Sequence, residues 1–135
     1  MKNKMLNALT ETGLNQRFAV GNDLVFIPAF KNALTTVFKN KVYTPGEITY
    51  CDQFDDALLR YASTWAAKEA VYKAVKQLSP ATLAWKKIEI TRQKAAGQPN
   101  VTLHQYPKQY NISLTLSHDG DYAWAIAFIE RENIT

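Results

Sequence analysis

Trp65-Ala66-Ala67-Lys68-Glu69-Ala70-Val71-Tyr72-Lys73 has the period of a helix, yet it carries a carboxylate where that period asks for an apolar residue. Phe54, Leu58, Tyr61, Ala62, Trp65 and Tyr72 recur at three- and four-residue steps, which is one face of a helix. Glu69 follows Trp65 by one turn and so lies on or beside that stripe, with Lys73 a further turn along the same side. A carboxylate held there must be paired, hydrogen-bonded or bound to a metal, because an isolated buried charge is too costly. A plain Glu–Lys pair at the edge of the stripe also satisfies the spacing and is worth only ~0.2–0.5 kcal/mol.

Outward from this stretch, the helix is predicted from about Asp52 to Leu78, with Ser79-Pro80 as its stop. The small residues Ala62, Ala66, Ala67, Ala70 and Ala74 let it lie close against a sheet. Upstream, Phe18 to Ile27 reads as a strand, with Phe18, Val20, Leu24 and Phe26 on one face. Ala19, Gly21, Asp23, Val25 and Ile27 take the other face, so Asp23 is a second carboxylate inside an apolar pattern. Pro28 ends the ladder, residues 29–39 read as a short helix with Lys31 and Lys39, and Thr44-Pro45-Gly46 turns into a short helix at Glu47 to Tyr50. The polar residues 1–16 carry at most a short helix over 4–12.

Downstream there are only strand signals. Trp85 to Thr91 and Val101 to Tyr106 alternate around a turn at Ala95 to Asn100. In the last hairpin Ile112, Leu114 and Leu116 lead to Asp119-Gly120 as the two-residue turn. The return strand sets Trp124, Ile126 and Phe128 against a flat row of Ala123, Ala125 and Ala127, a surface suited to a helix. The expected class is α+β, a mostly antiparallel sheet packed on one long helix.

The chain has 135 residues, 47% of them hydrophobic and 21% charged, which fits one globular domain. No apolar run approaches the ~20 residues of a membrane span, and no signal-peptide core follows the basic Met1-Lys2-Asn3-Lys4 start. Cys51 is the single cysteine, which excludes an internal disulfide and a cysteine zinc cluster. These features favour the cytoplasm and no membrane. A net charge of +4 suits an anionic partner, be it a phosphate-rich small molecule, a nucleic acid or an acidic protein.

No glycine-rich phosphate loop and no zinc spacing is present. Ser117, His118 and Asp119 cannot act as a triad, since neighbours on a strand point apart. Asp23 and Glu69 with Lys73 are different. Two carboxylates from separate elements suit magnesium, which takes one or two protein carboxylates and completes its shell with water and phosphate oxygens. A lysine facing the phosphates completes a phosphoryl-transfer layout, in which positioning and charge neutralisation dominate.

Gly21-Asn22-Asp23-Leu24-Val25, the helical stretch Trp65 to Lys73, and Ser117-His118-Asp119-Gly120-Asp121-Tyr122-Ala123 occur in an order that resembles the holo-acyl-carrier-protein synthase branch of the 4'-phosphopantetheinyl transferases. Tyr43-Thr44-Pro45-Gly46-Glu47, Ile88-Glu89-Ile90 and Gly97-Gln98-Pro99 add to the resemblance, which spans about residues 18–130. It implies residues 1–17 as an N-terminal extension and 18–135 as a single phosphopantetheinyl transferase domain. The implied reaction moves the phosphopantetheine arm of coenzyme A to a serine of an acyl or peptidyl carrier protein, in fatty-acid or secondary-metabolite synthesis. It releases adenosine 3',5'-bisphosphate. By the same resemblance Asp23 and Glu69 hold magnesium, Glu69 and Lys73 are catalytic, and Lys73 contacts the coenzyme phosphates. Ser117 and His118 lie at the nucleotide end, and the chain forms a homotrimer with active sites between subunits.

The chain departs from the family pattern at Asn22, where a branched apolar residue is usual, and at Phe26-Ile27-Pro28-Ala29, where acidic and arginine residues are common. It departs again at Thr64, where an arginine commonly stands. Two other readings fit the bare constellation: a metal-dependent nuclease or phosphodiesterase, and a non-catalytic relative that only binds a partner. Against the first, the chain has no pronounced basic run and no interleaved aromatic patch, so no nucleic-acid partner is expected. Lys31, Lys39 and Lys41 read equally as a solvated face or as a docking patch for an acidic carrier.

Overall fold

The computed structural model describes residues 16–92, 97–105 and 110–132. The element order is β1 (Phe18–Phe26), α1 (Ile27–Ala33), α2 (Thr36–Val42), α3 (Pro45–Asp52), α4 (Ala57–Leu78), a 3-10 turn at Trp85–Lys87, β2 (Ile88–Arg92), β3 (Pro99–Leu103), β4 (Tyr110–Asp119) and β5 (Tyr122–Arg131). β1, β5 and β4 form one antiparallel sheet in that order, and β2 and β3 form a separate antiparallel hairpin. The expected α+β architecture is present. The expected helix at 4–12 lies outside the described residues.

The alanine row does what its flatness implies. Ala123, Ala125 and Ala127 are fully buried beneath α4, whose own Ala62, Ala66, Ala67, Ala70 and Ala74 face inward. The approach is so close that a Cβ on Gly21 of β1 would fall 1.9 Å from the Ala70 carbonyl oxygen, so only glycine fits there. The opposite face of the sheet is different: Phe18, Val20, Leu24, Phe26, Tyr122, Trp124 and Phe128 are each 42–60% exposed. Two cross-strand ring pairs on that face, Phe18–Phe128 and Phe26–Tyr122, are 5.5 and 5.3 Å apart.

Several boundaries differ from the sequence expectation. Ile27 begins α1 rather than ending β1, and the segment carrying Lys31 and Lys39 is two short helices. The long helix starts at Ala57, not Asp52, because α3 already spans Pro45–Asp52 and the chain turns between them. Thr44 and Glu47 start α3 with a reciprocal capping box: Thr44 Oγ1 accepts from the Glu47 N–H (3.2 Å) and a Glu47 carboxylate oxygen accepts from the Thr44 N–H (2.8 Å). Trp85 opens a 3-10 turn before β2. In the last hairpin Asp119 pairs with Tyr122, so the loop residues are Gly120 and Asp121, with Gly120 at φ +55°.

The deepest line of α4 also differs from the expected stripe. Phe54 lies outside the helix, and Leu58, Trp65 and Tyr72 are only half-buried. Tyr61, Thr64, Lys68, Val71, Val75 and Leu78, again at three- and four-residue steps, are the buried line. No helix among the described residues is long and apolar enough to cross a membrane.

Candidate active site

α4 brings Glu69 and Lys73 over the one position of β1 that points a carboxylate at the helix. Asp23 lies on the helix-facing side between Gly21 and Val25, with only 10% of its side chain exposed. Lys73 Nζ donates to Asp23 Oδ1 at 2.8 Å and to the Asn22 carbonyl at 3.2 Å. That bond to Asp23 raises the Lys73 ammonium above the usual lysine range. Glu69 is half-buried beside Asp23 and Lys73, both of which act on its charge. Burial first, and then the neighbouring Asp23 carboxyl, push Glu69 up to about 7, with Lys73 opposing. The three residues that the sequence singled out therefore meet.

The other two behave separately. Leu116 pairs with Ala125, which pairs with Asp23; His118 pairs with Ala123, which pairs with Val25. His118 thus shares the helix-facing side with Asp23, two residues along β4. Ser117 pairs with Trp124, opposite Leu24, and takes the outer face. A cleft of about 650 Å³ is lined by Tyr50, Arg60, Ser63, Arg92, Leu116 and His118, among others. A shallower groove of about 370 Å³ on the outer face is lined by Leu24, Ser117, Tyr122 and Trp124.

The donor set fits magnesium. Among the described residues no group of three or more His, Cys, Asp or Glu side chains forms a protein-only cage. Two crowded carboxylates beside a lysine match a cation that draws its remaining ligands from water and phosphate. A cation between them would also oppose the burial and the crowding that push Glu69 up to about 7.

Sequence reasoning missed two groups of charged residues. Lys68, one residue before Glu69, is fully buried: its ammonium donates to Glu47 Oε1 (2.7 Å) and to the Ile88 carbonyl. Glu47 Oε2 in turn accepts from the Ile90 N–H at 2.9 Å, so one ion pair joins α3, α4 and β2. Its signal was the spacing of Lys68 within the line from Tyr61 to Leu78. The second group, Arg60 and Arg92 in the large cleft, carries no such periodic signal.

Comparison with known proteins shows the family. A family model for the 4'-phosphopantetheinyl transferase superfamily matches residues 19–127. The holo-[acyl-carrier-protein] synthase of Chlamydia muridarum is 36% identical over 121 residues, covering 86% of this chain and 97% of that protein. The acyl carrier protein synthase structure from Mycobacterium tuberculosis has a TM-score of 0.66 at 32% identity, covering 84% of this chain and 97% of its own. A synthase–coenzyme A complex from Chronobacterium ammoniagenes has a TM-score of 0.74 at 26% identity, covering 87% of this chain and all of that one. With Asp23, Glu69 and Lys73 gathered on this fold, the chain belongs to the 4'-phosphopantetheinyl transferase superfamily, in its holo-[acyl-carrier-protein] synthase branch.

Proposed function

We propose that this enzyme moves the 4'-phosphopantetheine arm of coenzyme A to a serine of an apo acyl carrier protein, with magnesium held by Asp23 and Glu69. The observation that carries the site assignment is the meeting of those two carboxylates with Lys73 at the α4–β1 contact. When bound, the cation neutralises charge on the pyrophosphate. Lys73, tethered by Asp23 and the Asn22 carbonyl, reaches the phosphates as a fixed positive charge. Glu69, once ionised, takes the proton that the serine hydroxyl loses as its oxygen bonds to phosphorus. The bond from phosphorus to the nucleotide side breaks, and adenosine 3',5'-bisphosphate departs. Incubation with magnesium, coenzyme A and apo carrier proteins should add one phosphopantetheine, read by mass spectrometry. No adduct on any apo acyl or peptidyl carrier would overturn the proposal.

Lys73→Ala should lower the catalytic efficiency for coenzyme A by ~10²-fold or more, the scale of losing one electrostatic stabiliser. Circular dichroism should not change, since alanine favours helix. Unaltered kinetics would return Lys73 to the role of a surface partner for Asp23.

The homotrimer with interfacial sites draws support from the exposed apolar face of β1 and β5. A face that large is unusual on a chain without partners, and its groove reaches Ser117, the next residue before His118. Leu24→Glu with Trp124→Glu should reduce the particle to monomer mass in light scattering and depress transfer with it. A double variant of wild-type mass would remove this face from the assembly. For the carrier, Lys31 and Lys41 are exposed and free to meet an acidic surface, whereas Lys39 stacks over the Tyr61 ring at 4.7 Å.

A further inference from the structure

β1 is an edge strand of its sheet, and α4 reaches that edge with two side chains. Just beyond the two ends of β1, the Arg131 N–H donates to the Arg17 carbonyl and the Ile27 N–H donates to the Asp121 carbonyl. Odd-numbered residues of β1 therefore face β5, and even-numbered ones turn their carbonyls to the open edge. Two of those carbonyls are met from the helix. Lys73 Nζ donates to the Asn22 carbonyl at 3.2 Å, and Gln77 Nε2, one turn further on, donates to the Val20 carbonyl at 2.7 Å. The spacings match: four residues of helix rise about 6 Å, and two residues of antiparallel strand span about 6.8 Å. Neither the sequence pattern nor the proposed chemistry uses Gln77, which is exposed.

Directional bonds matter here because the packing beside them is smooth. Gly21 lies against the backbone of Ala70 and Ala74, and its helix-facing neighbour on the far side from Asp23 is the small Ala19. Flat surfaces at backbone distance fix how closely α4 approaches, but they have no interdigitating side chains to oppose a slide along the strand. Any slide carries Asp23 away from Glu69 and Lys73. Lys73 also ties β1 down, yet its ammonium is the group that faces the phosphates. Gln77 is a second tie that takes no part in the chemistry. The fold does not hang on it: β1 pairs with β5 from Phe18 to Phe26, and Arg131 Nη2 donates to the Leu78 carbonyl at the end of α4.

We propose that Gln77 is a positioning residue for the transfer: through the Val20 carbonyl it fixes the register of β1 under α4, and so holds Asp23 beside Glu69 and Lys73. This rests on the reading of those three residues as the reactive site. The test compares Gln77→Met, which keeps the length but loses the donor, with Gln77→Lys, which restores a long donor of the kind Lys73 supplies. Each variant is measured for transfer kinetics, for magnesium binding by calorimetry without coenzyme, and for thermal unfolding. Salt at about 0.15 M screens the added lysine charge beyond about 8 Å, and Glu69 stands about 12 Å away along the helix axis. Gln77→Met should lower kcat and magnesium affinity by about 2- to 10-fold, the fold-change of one net hydrogen bond. It should leave the KM for the carrier and the folded fraction at assay temperature unchanged, and Gln77→Lys should restore both losses. Wild-type kcat and magnesium affinity in Gln77→Met, a kcat loss matched by its unfolded fraction, or a folded Gln77→Lys that restores neither, overturns the assignment. A wild type that neither binds magnesium nor transfers phosphopantetheine overturns the reading of the site, and this role of Gln77 with it.

Discussion

Asp23→Ala or Glu69→Ala should cut phosphopantetheine transfer by about 10³-fold or more, since each removes one of two carboxylates proposed for a metal worth several kcal/mol. Isothermal titration of magnesium into each variant, without coenzyme, should show weakened binding, which separates loss of the metal from loss of the fold. Stability should move the other way or stay level. Glu69 is raised from its ordinary 4.5 to about 7 in the folded chain, so folding favours its protonated form. Its contribution is fully present below pH 4.5 and is lost as pH rises toward 7, where folding must tolerate two facing carboxylates. Removing Asp23 relieves that crowding. It also removes the Lys73 pair, but Lys73 is 51% exposed and such a pair is worth only about 0–1 kcal/mol. Above pH 7, in metal-free buffer, Asp23→Ala should therefore melt no lower than the wild type. Wild-type transfer rates in either variant would sink the metal assignment.

The sequence carried the architecture because periodicity reports which faces are small. The alanines of β5 and of α4 are legible as two flat surfaces meeting, and Gly21 between them allows contact at backbone distance. Asp23 and Glu69 stand out for the same reason, as charged residues in rows that are otherwise apolar. What could not be read were quantities fixed by tertiary contact. The sequence pattern starts α4 too early because helical periodicity runs on through residues 52–56, and only the fold shows the turn between Asp52 and Ala57. Lys68 is hidden from a sequence reading because a lysine ordinarily faces water, and the larger Trp65 and Tyr72 mark a more apolar stripe. Those aromatics instead form a half-buried cluster with Phe38 and Trp85 beside the core. Arg92 belongs to a cleft formed by elements distant in sequence, and no local pattern marks it.

Lys68 gives the second large effect, on stability rather than chemistry. Successive helix residues point about 100° apart, so while Glu69 faces β1, Lys68 faces α3 and β2. There its ammonium is enclosed with Glu47, which is 2% exposed. Burial pulls the ammonium below its ordinary range, and the Glu47 carboxylate, with Glu89 further off, pulls it back, so the charge depends chiefly on the pair. Lys68→Met leaves Glu47 with two backbone donors, Thr44 N–H and Ile90 N–H, but without a countercharge. Breaking a buried pair from one side costs about 3–5 kcal/mol, and those two donors place Lys68→Met toward the lower end. Glu47→Gln should cost more, because Lys68 then keeps only neutral acceptors, such as the Ile88 carbonyl. Because the two side chains are in direct contact, the double variant should be more stable than the sum of the single losses implies. Urea unfolding of all four proteins measures this cycle. Single substitutions costing under about 1 kcal/mol, or strictly additive losses, would show that the pair does not hold α4 against α3 and β2.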